Sequence, residues 1–301
     1  MVMAASDWHI SQSDLLGFSH FLAPLYVVLF LVSITLNALL VVVTVKSPRL
    51  RSNCNILIAF QAFCDILASF CAPIYIYNTY ANRLLSISDC FWYQVVPDAG
   101  GISTTVLILL IGTDRYLCIA YPLWYKRLNQ LRYLSCYVAI CLAYSVAFGL
   151  GMFFSQERIT KVICFLPDAM TDSMKNILAT IQAVVVILDF VVYFKLYRFP
   201  RKRGGGGDQE TAKIVKALTV IVLVFSFGWC SAIVILGLSR ILISDKYLTQ
   251  AIGLIEGIFA FINVSAPSIV YYFHSSVYRK EFRLLLGMKA NVSHVNHTGS
   301  S

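Results

Sequence analysis

The side chains of this chain with the greatest capacity for chemistry are charged or polar groups set inside apolar runs. Asp114-Arg115-Tyr116 closes the third such run, on the side where Lys and Arg crowd every loop. A carboxylate beside an always-charged guanidinium at the mouth of a lipid-spanning helix is costly unless paired, which suits a partner-exchanging switch. Asp65 lies near the middle of the second run, with Asn37, Thr104 and Asn263 at comparable depth in the first, third and seventh. Such a polar cell can hold a sodium ion or a proton, and it equally describes a hydrogen-bonded packing cluster without an ion. Asp98, eight residues after Cys90, and Glu256, in the first third of the seventh run, fall at similar depth near the opposite end. Two carboxylates facing one cavity favour a ligand bearing a cation or hydrogen-bond donors; the alternative is pairing with Arg240, Lys246 or water. Tyr75, Tyr77, Trp92 and Tyr93, at the same level, read as pocket walls or as an interfacial aromatic belt. Asp189, in the fifth run, has no visible partner.

Two further features concern movement. Phe225-Ser226-Phe227-Gly228-Trp229 lies mid-span in the sixth run, where Gly228 beside Trp229 weakens the helix and leaves room for a ring to shift. Pro267 removes a backbone hydrogen bond from the seventh run and predicts a kink above Tyr271 and Tyr272. Catalytic and metal constellations are lacking. His9, His20, His274, His294 and His297 lie in tails or at run ends, and no P-loop or dinucleotide fingerprint occurs, so neither an enzyme nor a cofactor is expected.

The elements that must position these groups are membrane helices. Hydrophobic residues make up 58% and charged residues 13% of the 301, and the mean hydropathy is +0.74, outside the soluble range. Seven stretches can cross about 30 Å of hydrocarbon: Phe21 to Val45, Ile56 to Tyr77, Phe91 to Ala120, Tyr133 to Phe154, Ile177 to Tyr197, Ala217 to Leu238 and Leu248 to Phe273. The expected fold is an all-α seven-transmembrane bundle spanning 21–273. Alternate loops hold eighteen of the 24 Lys and Arg residues, so the positive-inside rule puts the N-terminus outside and the C-terminus in the cytosol. Basic residues that flank lipid-spanning runs are a poor match to nucleic acid. No cleavable signal peptide is evident in Met1 to Ser19, and helix one is expected to act as its own anchor.

The tails and loops follow from this topology. Residues 1–20 form an outer tail, 274–286 carry the pattern of an amphipathic helix on the inner leaflet, and 287–301 are small, polar and expected to be disordered. Gly204-Gly205-Gly206-Gly207 joins helices five and six as a flexible tether, either native or engineered. The triplets at Asn263, Asn291 and Asn296 match a glycosylation pattern by chance, since none falls outside. Cys54, Cys64, Cys71, Cys118, Cys136, Cys141 and Cys230 fall within or against apolar runs and are expected to be free thiols. Cys90 and Cys164 alone fall at outer positions, so an oxidising compartment predicts a bridge that pins the loop after helix four over the bundle mouth.

Asn37, Asp65, Cys90 with Cys164, Asp114-Arg115-Tyr116, Pro122, Phe225 with Trp229, Pro267 and Tyr278-Arg279, in this order, resemble the rhodopsin-like class of G-protein-coupled receptors. Helix four lacks the tryptophan common in that class, helix five its proline, and helix six carries Ser231 where a proline is usual. Helix seven reads Ala266-Pro267-Ser268-Ile269-Val270-Tyr271 in place of Asn-Pro-x-x-Tyr. With Ser265-Ala266-Pro267 and Tyr278-Arg279-Lys280-Glu281-Phe282, this divergence is similar to the nematode serpentine chemoreceptors, in particular their srsx-type branch. The resemblance implies a plasma-membrane receptor, sited in sensory cilia, with a small-molecule ligand and a heterotrimeric G protein as partners. It also implies a mechanism. An agonist near Asp98, Glu256, Trp229 and Tyr75 shifts Trp229 and Phe225, the inner end of helix six moves outward about a hinge that includes Pro267, and Arg115 exchanges Asp114 for the G protein. Glu210 or Thr211 could brace Arg115 at rest. The rivals are a neuropeptide or transmitter receptor and an inverted-topology ligand-gated channel. The channel is disfavoured by the distribution of Lys and Arg.

Overall fold

The computed structural model describes residues 10–202 and 245–288 and, between them, 219–220, 222–228 and short pieces up to 243. Nine helices are bounded there: α1 Gln12–Lys46, α2 Asn53–Ser69, α3 Cys71–Tyr80, α4 Ile87–Ala120, α5 Pro122–Lys126, α6 Gln130–Phe154, α7 Asp172–Lys202, α8 Lys246–His274 and α9 Ser276–Leu285. Six spans among the described residues are long and apolar enough to cross a membrane: α1, α2 with α3, α4, α6, α7 and α8. The seventh, sixth in chain order, contributes the helical residues 222–228, which pack into the same core. The chain is thus an all-α, multi-span bundle. Trp229, Cys230, Arg240, Glu210, Thr211, the glycine tether and the segments 1–9 and 289–301 lie outside the described residues.

The helices overrun the expected spans because hydropathy marks only the lipid-soluble part, whereas caps set the ends. The first helix begins at Gln12, not Phe21, because Ser11 and Asp14 form a reciprocal capping box. The third begins at Ile87 under a Ser86 cap, the fourth at Gln130 under Asn129, and the seventh at Lys246 under Asp245. The second span is interrupted at Phe70, where α2 gives way to α3. Pro73 accounts for the break: it has no N–H for the Ser69 carbonyl four residues earlier, and its ring crowds that carbonyl. Pro267, by contrast, lies inside a helix that runs unbroken to His274.

Apolar side chains face both inward and outward. Leu40, Leu57, Ile108, Ile111, Val222, Phe225 and Tyr271 form one buried cluster, toward the Arg115 end of the bundle. Tyr26, Tyr75, Phe165, Leu254 and Phe261 form another, toward the Cys90 end. Val28, Leu142, Ile187 and Phe259 are exposed along the spans, the pattern of a surface solvated by hydrocarbon. Small residues let the inner helices approach closely: a Cβ built on Gly100 of α4 would stand 2.6 Å from the Cys64 carbonyl oxygen and 2.7 Å from the Ala68 nitrogen of α2.

The only sheet among the described residues is a short antiparallel pair, β1 (Leu85–Ser86) with β2 (Lys161–Val162), in register Leu85 to Val162 and Ser86 to Lys161. The Cys90–Cys164 disulfide lies next to it. The other described cysteines, Cys54, Cys64, Cys71, Cys118, Cys136 and Cys141, are free. At the opposite end α9 turns away from α8, with Tyr278 stacked 5.2 Å from Tyr271. Arg279 closes the end of α8 by donating to the carbonyls of Tyr272 (3.1 Å) and Phe273.

Candidate functional site

Three polar centres lie along the bundle. The first is at the C-terminal end of α4. Asp114 is fully buried, and both of its oxygens are engaged: Oδ2 accepts from Arg115 Nε at 3.2 Å and faces Nη2 at 3.1 Å, while Oδ1 accepts from the Tyr125 hydroxyl at 2.7 Å. Tyr125 belongs to α5, which Pro122 starts directly after α4. Proline at the first position suits a helix start, because its missing N–H would have had no partner there. This one-turn helix carries the phenol back onto Asp114, and the Tyr125 ring lies edge-on to Tyr133, whose hydroxyl is 2.6 Å from that of Tyr137. Tyr116 packs on the inner core cluster. The guanidinium of Arg115 is held by a buried carboxylate whose other oxygen is already engaged, so its release requires a competing acceptor.

The second centre surrounds Asp65. Thr104 donates to Asp65 Oδ1 at 2.7 Å, whereas Oδ2 has no hydrogen-bond partner among the described residues. Asn37 joins indirectly: it donates to the carbonyls of Ser33 (3.1 Å) and Val264 (3.2 Å). Ser69 donates to the Asp65 carbonyl at 2.7 Å, so the 2.7 Å contact between Ser33 and Ser69 must use the Ser33 proton. Ser268 ties α8 to the same corner by donating to the Leu36 carbonyl at 3.1 Å. Asn263 stands apart. Its amide lies against Gly228 of the sixth span, where a Cβ would collide with it, and Ser231 donates to the Gly228 carbonyl at 2.8 Å. The close approach of α8 to the sixth span therefore depends on a glycine, and Asn263 stands at that contact.

The third centre lies under the disulfide. Gln94 donates to the Cys164 carbonyl at 2.9 Å, and the Ile163 N–H donates to Gln250 at 3.2 Å, so the loop is sewn to α4 and α8. Cys164 itself adopts φ 67°. Phe165 then points between the helices. Its ring lies 5.1 Å from Tyr26 and 5.6 Å from Tyr75, and a Cβ on Gly257 would collide with it. Tyr75 is fully buried and donates to the Ser19 carbonyl at 2.9 Å, while Tyr26 donates to the Leu254 carbonyl at 2.5 Å. Tyr77, Trp92 and Tyr93 are 66%, 62% and 57% exposed, and Tyr77 and Tyr93 line a small pocket with Pro73, Ile74 and Asn78.

Asp98 and Glu256 stand in different surroundings. Asp98 is buried beside Cys71, and neither of its oxygens has a hydrogen-bond partner among the described residues. Glu256 is half-buried and lies near the Tyr26 phenol, with the rings of Tyr26, Tyr75 and Phe165 in the space between the helices. Lys246, a possible partner, has its ammonium 5.0 Å over the Tyr247 ring. A third acid, Asp168, sits in the loop and accepts from the Phe165 N–H at 3.0 Å. Burial raises its carboxyl above the ordinary 3.8, opposed by Lys175 and by that N–H. Asp189 is buried in α7, and neither oxygen has a hydrogen-bond partner among the described residues. Phe225 is buried in the inner cluster and Pro267 in α8.

Tyr26, Tyr125, Phe165, Asp168, Gln94 and Gly257 were not singled out from sequence. Phe165 follows a bridging cysteine and Tyr125 follows Pro122 by three, which are the available signals; Tyr26 and Gly257 give none, being an aromatic and a glycine in apolar runs.

The chain matches known receptors over most of its length. The family model described as "Serpentine type 7TM GPCR chemoreceptor Srsx" matches residues 30–286. The growth hormone secretagogue receptor type 1 of Rattus norvegicus is 23% identical over 295 residues, covering 88% of this chain and 80% of the relative. The C-C chemokine receptor type 4 of Homo sapiens is 22% identical, with 86% and 76% covered. The allatostatin-A receptor of Bombyx mori is 22% identical, with 83% and 75% covered.

Proposed function

Because the chain belongs to the serpentine seven-transmembrane G-protein-coupled chemoreceptor family Srsx, and is therefore a multi-pass membrane receptor, we propose that it detects a small molecule of the odorant type. In this reading the Cys90 end faces outside, the Arg115 end faces the cytosol, and the receptor serves in sensory cilia. Ligand enters near Tyr75, Asp98, Glu256 and Trp229, and Asp114-Arg115-Tyr116 couples to a heterotrimeric G protein. Asp65, with Asn37, Thr104 and Asn263, forms a polar cell able to take a sodium ion or a proton.

The observation that carries the coupling is the satisfaction of buried Asp114 by Arg115 and Tyr125. Agonist and G protein must prefer the same state, one in which Arg115 is released, for each to strengthen the other. In this reading Phe225 and Pro267 carry the shift from one end to the other. The loop supports a small ligand, since Phe165 already fills much of the space between Tyr26, Tyr75 and Gly257. A second reading, a neuropeptide or transmitter receptor, is favoured by the relatives named for chemokines and allatostatin-A.

The test is agonist-driven nucleotide exchange by purified receptor and G protein. Arg115→Ala should abolish it while ligand binding persists; undiminished exchange removes the proposed role. Screening volatile and water-soluble small molecules beside a peptide library separates the two readings, because only one class should drive exchange.

A further inference from the structure

At the Arg115 end, the starts of α2 and α6 flank an open groove of about 520 Å³ lined by Arg51, Ile56, Asn129, Gln130, Leu131 and Leu134. Gln130 donates to the Arg51 carbonyl at 3.0 Å and ties the two walls together. The lining divides into an apolar strip of Ile56, Leu131 and Leu134 and a polar lip of Arg51, Asn129 and Gln130. Leu131 is 76% exposed, and Leu123 and Trp124 of nearby α5 are exposed too. Charge at this end is unbalanced. Of the described acids here, Asp114 is held by Arg115 and Tyr125, and Glu281 pairs with Arg49 at 3.4 Å. Arg51, Lys126, Arg127 and Arg132 make no ion pair with a described acid.

We propose that this groove binds an anionic phospholipid, its phosphate against Arg51 and the polar lip and an acyl chain along Ile56, Leu131 and Leu134. Charge complementarity selects this occupant: a cation paired with no described acid stands over an apolar strip at a helix end, where headgroup and hydrocarbon adjoin. A neutral lipid leaves Arg51 unmet, and a soluble phosphate leaves the strip unused. The inference rests on the membrane-receptor reading alone, not on the ligand or the orientation.

The experiment uses the full chain in symmetric nanodiscs of phosphatidylcholine with graded phosphatidylinositol 4-phosphate, and counts retained lipid by native mass spectrometry. Arg51→Gln should weaken retention about fivefold, the loss of one near-surface cation, and Leu131→Gln should weaken it further. Lys280→Gln, on α9 and outside the groove, should leave it unchanged. A receptor that folds is confirmed by its melting curve, and Leu131→Gln supplies an independent variant if Arg51→Gln does not fold. Retention equal to wild type in both groove variants overturns the proposal, as does retention of phosphatidylcholine to the same degree. Soluble inositol trisphosphate occupying the detergent-solubilised receptor as tightly as the lipid would also overturn it, since the acyl strip would then be idle. Nucleotide exchange is not the readout, so failure here leaves the receptor reading intact.

Discussion

Replacing Gly100 and Gly101 separately by alanine tests the helix packing that supports the Asp65 centre. At Gly100 the new methyl would stand 2.6 Å from the Cys64 oxygen and 2.7 Å from the Ala68 nitrogen, both backbone atoms of α2 that cannot rotate away. To reach ordinary contact the helices must part by about 0.8 Å, a strain of the kind that costs ~1–3 kcal/mol. Thr104 lies one turn beyond Gly100, so the same parting stretches its 2.7 Å hydrogen bond to Asp65 and gives up a further ~1 kcal/mol. Alanine returns ~1 kcal/mol by restraining the unfolded chain and favouring helix. The net expectation is a loss of about 2 kcal/mol, a fall of roughly 4–8 °C in Tm. At Gly101 the neighbours are Leu166 Cδ2 at 3.8 Å and Ala68 Cβ at 3.9 Å, ordinary contacts, so only the helix gain remains. Thermal unfolding of both purified variants, followed by reactivity of the buried thiols Cys64 and Cys71, measures the difference. Gly100→Ala melting at or above the wild type, or the two variants melting together, would refute the close approach of α2 and α4.

Other expectations concern the two ends. Tyr125→Phe removes one of the donors to buried Asp114 and should raise ligand-independent nucleotide exchange by up to about tenfold, since ~1.4 kcal/mol is a factor of ten in population; unchanged basal exchange would show that the phenol does not hold the resting state. Cys164→Ser, which opens a bridge across 74 residues of chain, should cost about 2–5 kcal/mol and speed hydrogen exchange at Ile163 and Phe165, and unaltered protection there would mean that Gln94 and Gln250 suffice to hold the loop. The raised Asp168 carboxyl sets the sign of a pH effect. Because its folded value exceeds the ordinary 3.8, its contribution is fully present below that value and is lost as pH rises through the folded one. Asp168→Asn should therefore flatten the fall in Tm over that window, and an unchanged slope assigns the effect to another group.

Much of the architecture was legible in sequence because lipid imposes a crude and strong rule: every spanning residue must be helical, and apolar runs of about twenty residues announce it. The Asp65–Thr104 contact and the Cys90–Cys164 bridge were legible for a related reason, since residues at equal depth or in one compartment have few alternatives. Depth is one coordinate, however, and rotation about the helix axis is another. Asn263 and Thr104 were placed at the same level as Asp65; Thr104 donates to it, and the amide of Asn263 lies against Gly228. Phe165, which packs against Tyr26 and Tyr75, comes from a loop whose path no helical period encodes.

Sequence by itself determined that this chain lives in a bilayer as a helical bundle, where its charges crowd and which cysteines can meet, because burial of backbone polarity and the cost of ions in hydrocarbon act on composition and spacing alone. Tertiary structure decided which polar groups touch: that Tyr125 completes the shell of Asp114, that Phe165 enters the bundle between Tyr26 and Tyr75, and that Arg51 borders a groove where no described acid pairs with it. Those pairings depend on helix rotation, on caps and on loop paths, each set by packing against partners far away in the chain.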